Sequence, residues 1–464
     1  MKRFKHMFYK TLIVILSIVF VSSTVFASSS DYGNNSKYSN GEILIKYKKS
    51  SIDDNVKQHI KDKLSLSQFK TKKKSNSGNI EVLQIGTKDD LNKTIAELKS
   101  NPDVEYAQPN YKLSIETDQF NIDTYLSNTE ASEKCVSPLN TELSKQWGLY
   151  NKGQDINGQA GIPGEDISAI PAWKLTVGSE DVVVGVLDTG VDINHVDLTD
   201  NIYINKGEVA GNGIDDDGNG YIDDITGWDF ANGDNTLFDS ASYDAHGTHL
   251  SGIIAARGNI NSIIGVASRV RILHLKFIEK NEGDTFDAIL AIEYASQMGV
   301  KIINCSWSGP DYNYALEDAM KNTDILFTCS AGNKSSDLAV NPLYPACFEI
   351  PNIMTVAATD NRGKLAVFSN YGSKVDVAAP GMNIYSSMPN NQYFFGSGTS
   401  MAAPHVAGIA ALLKSYKPKL QYFQIAACIK NTVDTSEELT GKVSSNGRVN
   451  AYSALKYSKK LKKE

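Results

Sequence analysis

The sequence predicts an α/β fold in two parts: a small α+β domain, then a larger three-layer domain on a mostly parallel sheet. Five short runs rich in Val and Ile, "DVVVGVLD", "RILHLKF", "VKIINCSW", "DILFTCS" and "IMTVAAT", have the character of strands buried on both faces. Helical patterns such as "DTFDAILAIEYASQMG" and "YNYALEDAMKNT" separate them. The charge also changes sign along the chain. Residues 1–112 carry 19 Lys+Arg against 11 Asp+Glu, and the remainder carries 27 against 42.

Taken in order, Lys2, Arg3, Lys5 and Lys10 precede the apolar stretch Leu12 to Val21, and "VFA" ends at Ala27. This is the pattern of a secretory signal over residues 1–27, with a retained anchor as the alternative. No other stretch is long enough to span a bilayer. A Ser/Asn-rich stretch then leads to the strand "EILIKYK", the helix "DDNVKQHIKDKL" and the basic loop "KTKKKSNSG". The strand "IEVLQIG", the helix "DDLNKTIAELKS" and a last strand in "NPDVEYAQPNYKL" complete a unit of ferredoxin-like type over residues 28–113. Residues 114–140 are polar, acidic and irregular, as in an exposed linker open to proteolysis. The parallel-sheet domain occupies 141–464.

A basic leading domain before an acidic body suits an intramolecular partner, and an acidic body repels nucleic acid. Cys135, Cys305, Cys329, Cys347 and Cys428 are widely spaced, with no CxxC pair. They read as small buried hydrophobes, with one bridge left open, and not as a disulfide framework or zinc site.

In a parallel α/β sheet the chemistry sits at the carboxyl ends of strands. Asp188 closes the first buried strand in "VVVGVLDTG", His246 opens a helix in "DAHGTHLSGIIAA", and Ser400 opens another in "GTSMAAPHVAG". An Asp that orients a His, and a His that takes the proton of a Ser at a helix terminus, make a nucleophilic triad. Singly, each has a structural explanation as a cap, an ion pair or a core histidine. Pro404 is expected early enough in its helix to be harmless. His249, His274 and His405 are read as structural, and His195, next to the aspartate block, replaces nothing catalytic.

"DTGVDINHVDL", "HGTHLSGIIAA" and "GTSMAAPHVAG" resemble the three signature blocks of the subtilisin-like serine proteases, in that family's order Asp, His, Ser. The resemblance runs from about Gln146 to "GRVNAYSAL", and the leading domain resembles the family's inhibitory, folding-assisting propeptide. It implies the subtilisin-like fold and an oxyanion-hole role for Asn333 in "SAGNKSS". It also implies a cleft in which substrate adds as a strand between Glu282, Gly283 and Asp284 on one side and Ser306, Trp307, Ser308 and Gly309 on the other. Trp307 and Ser308 stand where family members commonly have an aliphatic residue and a glycine, and "HLSG" replaces "HVAG", so a relative's specificity does not carry over.

The expected cofactor is calcium. "DDDGNGYIDD" puts Asp215, Asp217, Asn219 and Asp223 at EF-hand positions one, three, five and nine, with Gly220 at the turn and Tyr221 offering its carbonyl. Position twelve is Thr226 and no flanking helices are evident, so this is an insertion loop; the alternative is a solvated acidic turn. The resemblance implies a second calcium site at Asp197 and Asn259. The expectation is a secreted, monomeric serine endopeptidase made as a zymogen, whose partners are a peptide or protein substrate and its own propeptide. No nucleic acid is expected, and no membrane once the signal is removed. The alternatives are a dedicated maturation protease for one secreted precursor or leader peptide, and an inactive calcium-binding structural relative.

Overall fold

Strands that are apolar on both faces need a covering layer on each side, and this chain supplies two. The computed structural model describes residues 37–461 except 50–52, 64–69, 86–87, 117–140 and 260–261. The signal segment and nearly all of the expected linker, with Cys135, lie outside the described residues. The leading domain comprises β1 (Tyr38–Tyr47), α1 (Asp54–Lys63), β2 (Lys70–Lys74), β3 (Ile80–Gln84), α2 (Lys88–Ser100) and β4 (Val104–Ser114). A short ladder, β5 (Asp155–Ile156) with β6 (Gln159–Ala160), then α3 (Ala169–Trp173), β7 (Val183–Asp188), β8 (Gly227–Asp229), α4 (Ala245–Ala255) and β9 (Arg271–Lys276) open the second domain. It continues through β10 (Glu282–Asp284), α5 (Thr285–Gln297), β11 (Ile302–Cys305), α6 (Tyr314–Lys321), β12 (Leu326–Ser330), β13 (Ile353–Thr359) and β14 (Val377–Pro380). The hairpin β15 (Ile384–Met388) and β16 (Gln392–Gly396) precedes α7 (Thr399–Tyr416), α8 (Tyr422–Lys430), β17 (Asp434–Thr435), β18 (Gly447–Arg448) and α9 (Ala451–Ser458).

The nine-stranded sheet has the order β17-β18-β14-β13-β12-β11-β7-β9-β8, parallel except for the β17–β18 pair. Successive strand residues alternate between two cores. Val184, Val186, Ile302 and Leu326 pack with α4 and α7, whereas Leu187, Ile303 and Phe327 pack with α5 and α6. The central strand β7 lies between β9 and β11, which the chain reaches in opposite directions across the sheet. This switch point is where a crevice opens at the carboxyl ends of the strands.

All five predicted strands form. "KTKKK", expected as loop, is instead the edge strand β2, paired antiparallel with β3. It has no apolar alternation because its residues are mostly exposed, and a lysine-rich edge resists pairing with other chains. The described cysteines, Cys305, Cys329, Cys347 and Cys428, are buried and free. Among the described residues no helix is long and apolar enough to cross a membrane.

The leading domain packs onto α5 and α6. Leu44, Ile80, Val82 and Tyr106 form one apolar cluster with Phe286, Ile289 and Ala315. Each helix begins with backbone N–H groups that have no partner within the helix, and β4 satisfies one at each. Asn110 Oδ1 accepts from Phe286 N–H at 3.1 Å and Gln108 Oε1 accepts from Ala315 N–H at 3.0 Å. The sign change in the sequence reappears as ion pairs across this face: Lys46–Asp318 at 2.5 Å, Lys73–Asp287 at 2.6 Å and Lys112–Glu282 at 2.6 Å.

His274 sits at the centre of β9, fully buried, with no hydrogen-bond partner for either ring nitrogen among the described residues. Burial pulls its pKa from 6.5 down to about 3. The unfolded chain therefore binds a proton that the folded chain refuses, and stability is lost as pH falls from about 6.5 toward about 3. Urea unfolding is expected to show His274→Leu losing less stability than the parent between pH 7 and pH 5, by about 2 kcal/mol. Parallel pH dependences for the two proteins would contradict this.

Candidate active site

Two loops and two helix starts converge at the switch point. Asp188, the last residue of β7, is fully buried, and its Oδ1 accepts from His246 Nδ1 at 2.6 Å and from Thr189 N–H at 2.8 Å. A carboxylate can only accept, so Nδ1 carries the proton and Nε2 is left as a base. The short distance depends on two glycines. A Cβ on Gly247 would lie 2.3 Å from the Gly190 carbonyl oxygen, and one on Gly190 would lie 2.0 Å from the Leu237 carbonyl oxygen. The glycines that flank the Asp and the His in sequence therefore let the strand-end loop touch the helix.

Below them lies a buried ammonium. Lys276, at the end of β9, is fully buried and pairs with Asp229 at 3.3 Å, Asp244 at 3.3 Å and Asp239. Burial alone would lower its pKa, but the hydrogen bond to Asp239 and the charges of Asp244 and Asp229 outweigh it and raise the value. Burial pushes the Asp229 carboxyl above the usual range, although the Lys276 charge and the hydrogen bonds from Asn232 pull the other way. Asp244 accepts from Gly190 N–H at 2.9 Å and stands two residues before His246, so this cluster anchors both halves of the Asp–His contact.

Ser400 is the second residue of α7. Its Oγ donates to the Ser306 carbonyl at 3.2 Å, and Ser306 Oγ donates to the Ser400 carbonyl at 2.8 Å. Pro404, through which α7 runs unbroken to Tyr416, explains the second bond. It lies beyond the first turn, and its missing N–H is the one that would have bonded the Ser400 carbonyl. That carbonyl is thereby left to Ser306 at the end of β11.

Asn333 follows β12. Its Oδ1 accepts from both Thr399 N–H and Thr399 Oγ1, each at 2.8 Å, so its amide nitrogen is turned the other way. Asn370 holds the same loop, accepting from Lys334 N–H and Ser336 N–H and donating to the Ala331 carbonyl. Thr399 and Asn370 escaped the sequence reading because only the fold brings them to Asn333.

The expected cleft walls are occupied by the chain itself. β4 pairs antiparallel with β10, in the register Glu282↔Ser114, Gly283↔Leu113 and Asp284↔Lys112. On the other side Ser114 and Ser308 exchange two backbone hydrogen bonds of 2.9 Å. Trp307 is buried against Phe277, and its Nε1 donates to the Leu187 carbonyl at 2.7 Å. A Cβ on Gly309 would approach Leu113 to 3.1 Å.

A charge-paired imidazole, a hydroxyl at a helix start and a free amide beside a strand-shaped cleft are the parts of an acyl-transfer site. A family model, "Subtilase family", matches residues 179–452. The chain is a subtilase. A second model, "Fervidolysin N-terminal prodomain", matches residues 27–110, so this subtilase carries a prodomain and is a serine endopeptidase in zymogen form. It is 34% identical over 381 residues to the thermophilic serine proteinase of Bacillus sp. (strain AK1), covering 81% of this chain and 78% of that one. It is 37% identical over 298 residues to thermitase of Thermoactinomyces vulgaris, covering 63% and 95% respectively. Fervidolysin from Fervidobacterium pennivorans, described as a keratinolytic enzyme related to subtilisin, shares the fold with a TM-score of 0.66 at 22% identity. That match covers 91% of this chain and 62% of the other.

The subtilase also has two acidic loops. Asp215 and Asp217 converge with Glu208, one carboxylate oxygen of each lying within 4.8 Å of the others. Glu208 was not expected, because it lies outside the EF-hand spacing. Asn219 and Asp223 border this cluster: Asn219 Nδ2 donates to Asp217 Oδ2 at 3.2 Å, and the Asp223 N–H donates to Glu208 at 3.0 Å. Asn219 Oδ1 accepts from Tyr221 N–H, and the Asp223 carboxylate accepts from Asn212 and Gly213 N–H. The Tyr221 ring packs on Trp228, Phe230 and Tyr294. In the second loop Asp197 is fully buried; Oδ2 accepts from Tyr393 Oη at 2.7 Å, and Oδ1 has no partner among the described residues. Asn259 Nδ2 donates to the neighbouring Val196 carbonyl at 2.9 Å.

Replacing Lys276 by Met leaves its carboxylates buried without their cation. Denaturant unfolding is expected to show a loss of about 3–5 kcal/mol. A loss below about 1 kcal/mol would show that the cluster does not hold the site together.

Proposed function

We propose that this subtilase is a secreted, calcium-stabilised serine endopeptidase whose nucleophile is Ser400. The observation that carries this reading is the 2.6 Å contact of Asp188 with His246, beside a helix whose first turn carries Ser400. The Ser400 hydroxyl redirects its proton from the Ser306 carbonyl to His246 Nε2 as Oγ attacks the scissile carbonyl. Asp188 holds the imidazole in the required tautomer and balances the imidazolium that forms. The oxyanion is held by the Asn333 amide and the Ser400 backbone N–H. His246 then protonates the leaving amine, and water, activated by the same imidazole, hydrolyses the acyl-enzyme.

Residues 1–27 serve as export signal, 28–113 as propeptide, 114–140 as the linker in which maturation occurs, and 141–464 as the catalytic domain. The triad and Asn333 come from one chain, which supports action as a monomer, and no role is assigned to a membrane after export or to nucleic acid. The ion pairs across the prodomain face support inhibition by the propeptide until it is cut. Calcium fits both loops. A fully buried carboxylate oxygen of Asp197 without a partner suits a hard cation, as does the Glu208, Asp215 and Asp217 cluster. Asn259, Asn219, Tyr221 and Asp223 are near these loops and complete the proposed ligand sets through backbone or side-chain oxygens. When bound, the ion cross-links loops that otherwise carry excess negative charge.

Ser400→Ala is expected to abolish both labelling by a fluorophosphonate and processing of the purified zymogen; full maturation of that variant would exclude self-cleavage. Asn333→Ala is expected to lower kcat by about 10²–10³, the cost of one oxyanion donor as measured in subtilisin itself. Chelation of calcium should lower the melting temperature, and Asp197→Asn should reduce that response; an unchanged melting temperature on chelation would remove calcium from the account.

A further inference from the structure

Past the end of β4, the segment that fills the cleft carries a charged residue. Beyond the Ser114–Ser308 pair, Ile115 N–H donates to the Asn281 carbonyl at 3.3 Å, and Glu116 follows. The Glu116 carboxylate accepts from the backbone N–H of Asn333 at 2.5 Å and lies 4.0 Å from Lys334 Nζ. Its side chain is only 16% exposed. Asn333 is the residue whose carboxamide is tied to Thr399, next to Ser400. Glu116 is thus the residue of the strand that meets the groups around the nucleophile.

We infer that Glu116 occupies the pocket for the residue immediately before the scissile bond, that this pocket selects an acidic side chain, and that Lys334 is a determinant of the selection. The inference rests on the protease reading above and adds its substrate class. An antiparallel strand held on both sides has a fixed register, so each residue meets one position of the cleft. Leu113 enters the apolar cluster that contains Trp307 and Phe277, and Ile115 is buried in the same cluster. The preferred substrate is therefore an extended segment with apolar residues three and one positions before a glutamate.

The chemistry at the last position favours a carboxylate. A backbone N–H can bond either a carboxylate or an amide oxygen, but the charged acceptor makes the stronger bond. Lys334 adds an attractive charge, and its 70% exposure makes this a modest contribution that discriminates chiefly against a basic side chain. Trp307, the most conspicuous departure in the motif, is committed to Phe277 and the Leu187 carbonyl. Selectivity at this pocket comes instead from the residue after the oxyanion asparagine.

The test uses the full-length zymogen left to process, followed by peptide cleavage. Intact mass is expected to give a mature chain that begins immediately after Glu116. Among peptides of the form Leu-Ser-Ile-X, with X as Glu, Gln, Lys or Phe, kcat/KM should be highest for Glu, by about tenfold over Gln. Lys334→Gln should shrink the Glu-to-Gln ratio by about threefold, and Lys334→Glu should move the preference toward Lys. A mature end elsewhere, equal cleavage of the four peptides, or an unchanged ratio in Lys334→Gln would overturn the inference while fluorophosphonate labelling of Ser400 persists. Absence of both labelling and turnover would instead overturn the protease reading beneath it.

Discussion

A carboxylate at the end of a buried strand has no water to solvate it, and the second domain is arranged around answering that one charge. His246 meets Asp188 at 2.6 Å only because Gly190 and Gly247 let a loop and a helix touch without intervening side chains. The buried Lys276 then holds Asp244, and through it the Gly190 loop, in register with the helix. Ser400 and Ser306 repeat the device on the other side, where a proline withdraws one donor from α7 and a hydroxyl from the neighbouring strand end replaces it. The contacts that would set the chemistry also join the sheet to its two central helices.

Much of this could be read from the sequence because it is written in local signals. Runs of Val and Ile between turn residues located five of the nine strands of the large sheet, and glycines near Asp188, His246 and Ser400 marked their tight settings. Other features depend on pairings between distant segments. β2 carries no apolar alternation and is a strand only because β3 offers it an edge. EF-hand spacing named Asp215, Asp217, Asn219 and Asp223, but Glu208, which joins Asp215 and Asp217, comes from outside that spacing. Thr399 and Asn370 have no motif of their own around Asn333. Trp307 stood out correctly as a departure, but spacing could not tell a cleft wall from a buried side chain.

The charge split between the two parts of the chain pointed to an intramolecular partner before the individual contacts could be named. In the folded zymogen it becomes lysine–carboxylate pairs across the prodomain face, among them Lys46–Asp318, Lys73–Asp287, Lys112–Glu282 and the more exposed Lys37–Asp311, flanking an apolar cluster and two capped helix starts. The half-exposed Lys112–Glu282 pair contributes little and weakens with salt, whereas the Asp287 carboxylate, 5% exposed, would be left buried without Lys73. Apolar burial and the backbone ladder hold the prodomain together with these charges, which favour one orientation.

That ladder has a further meaning. β10 is three residues long and contributes nothing to the large sheet; its strand partner is β4, so it forms the outermost strand of the prodomain's five-stranded sheet. When the prodomain leaves, the catalytic domain keeps an orphaned edge, short and carrying Glu282 and Asp284, which discourages permanent pairing with another chain. On the proposed reading, a substrate strand would restore at this edge, for one turnover, the pairing that β4 supplies in the zymogen.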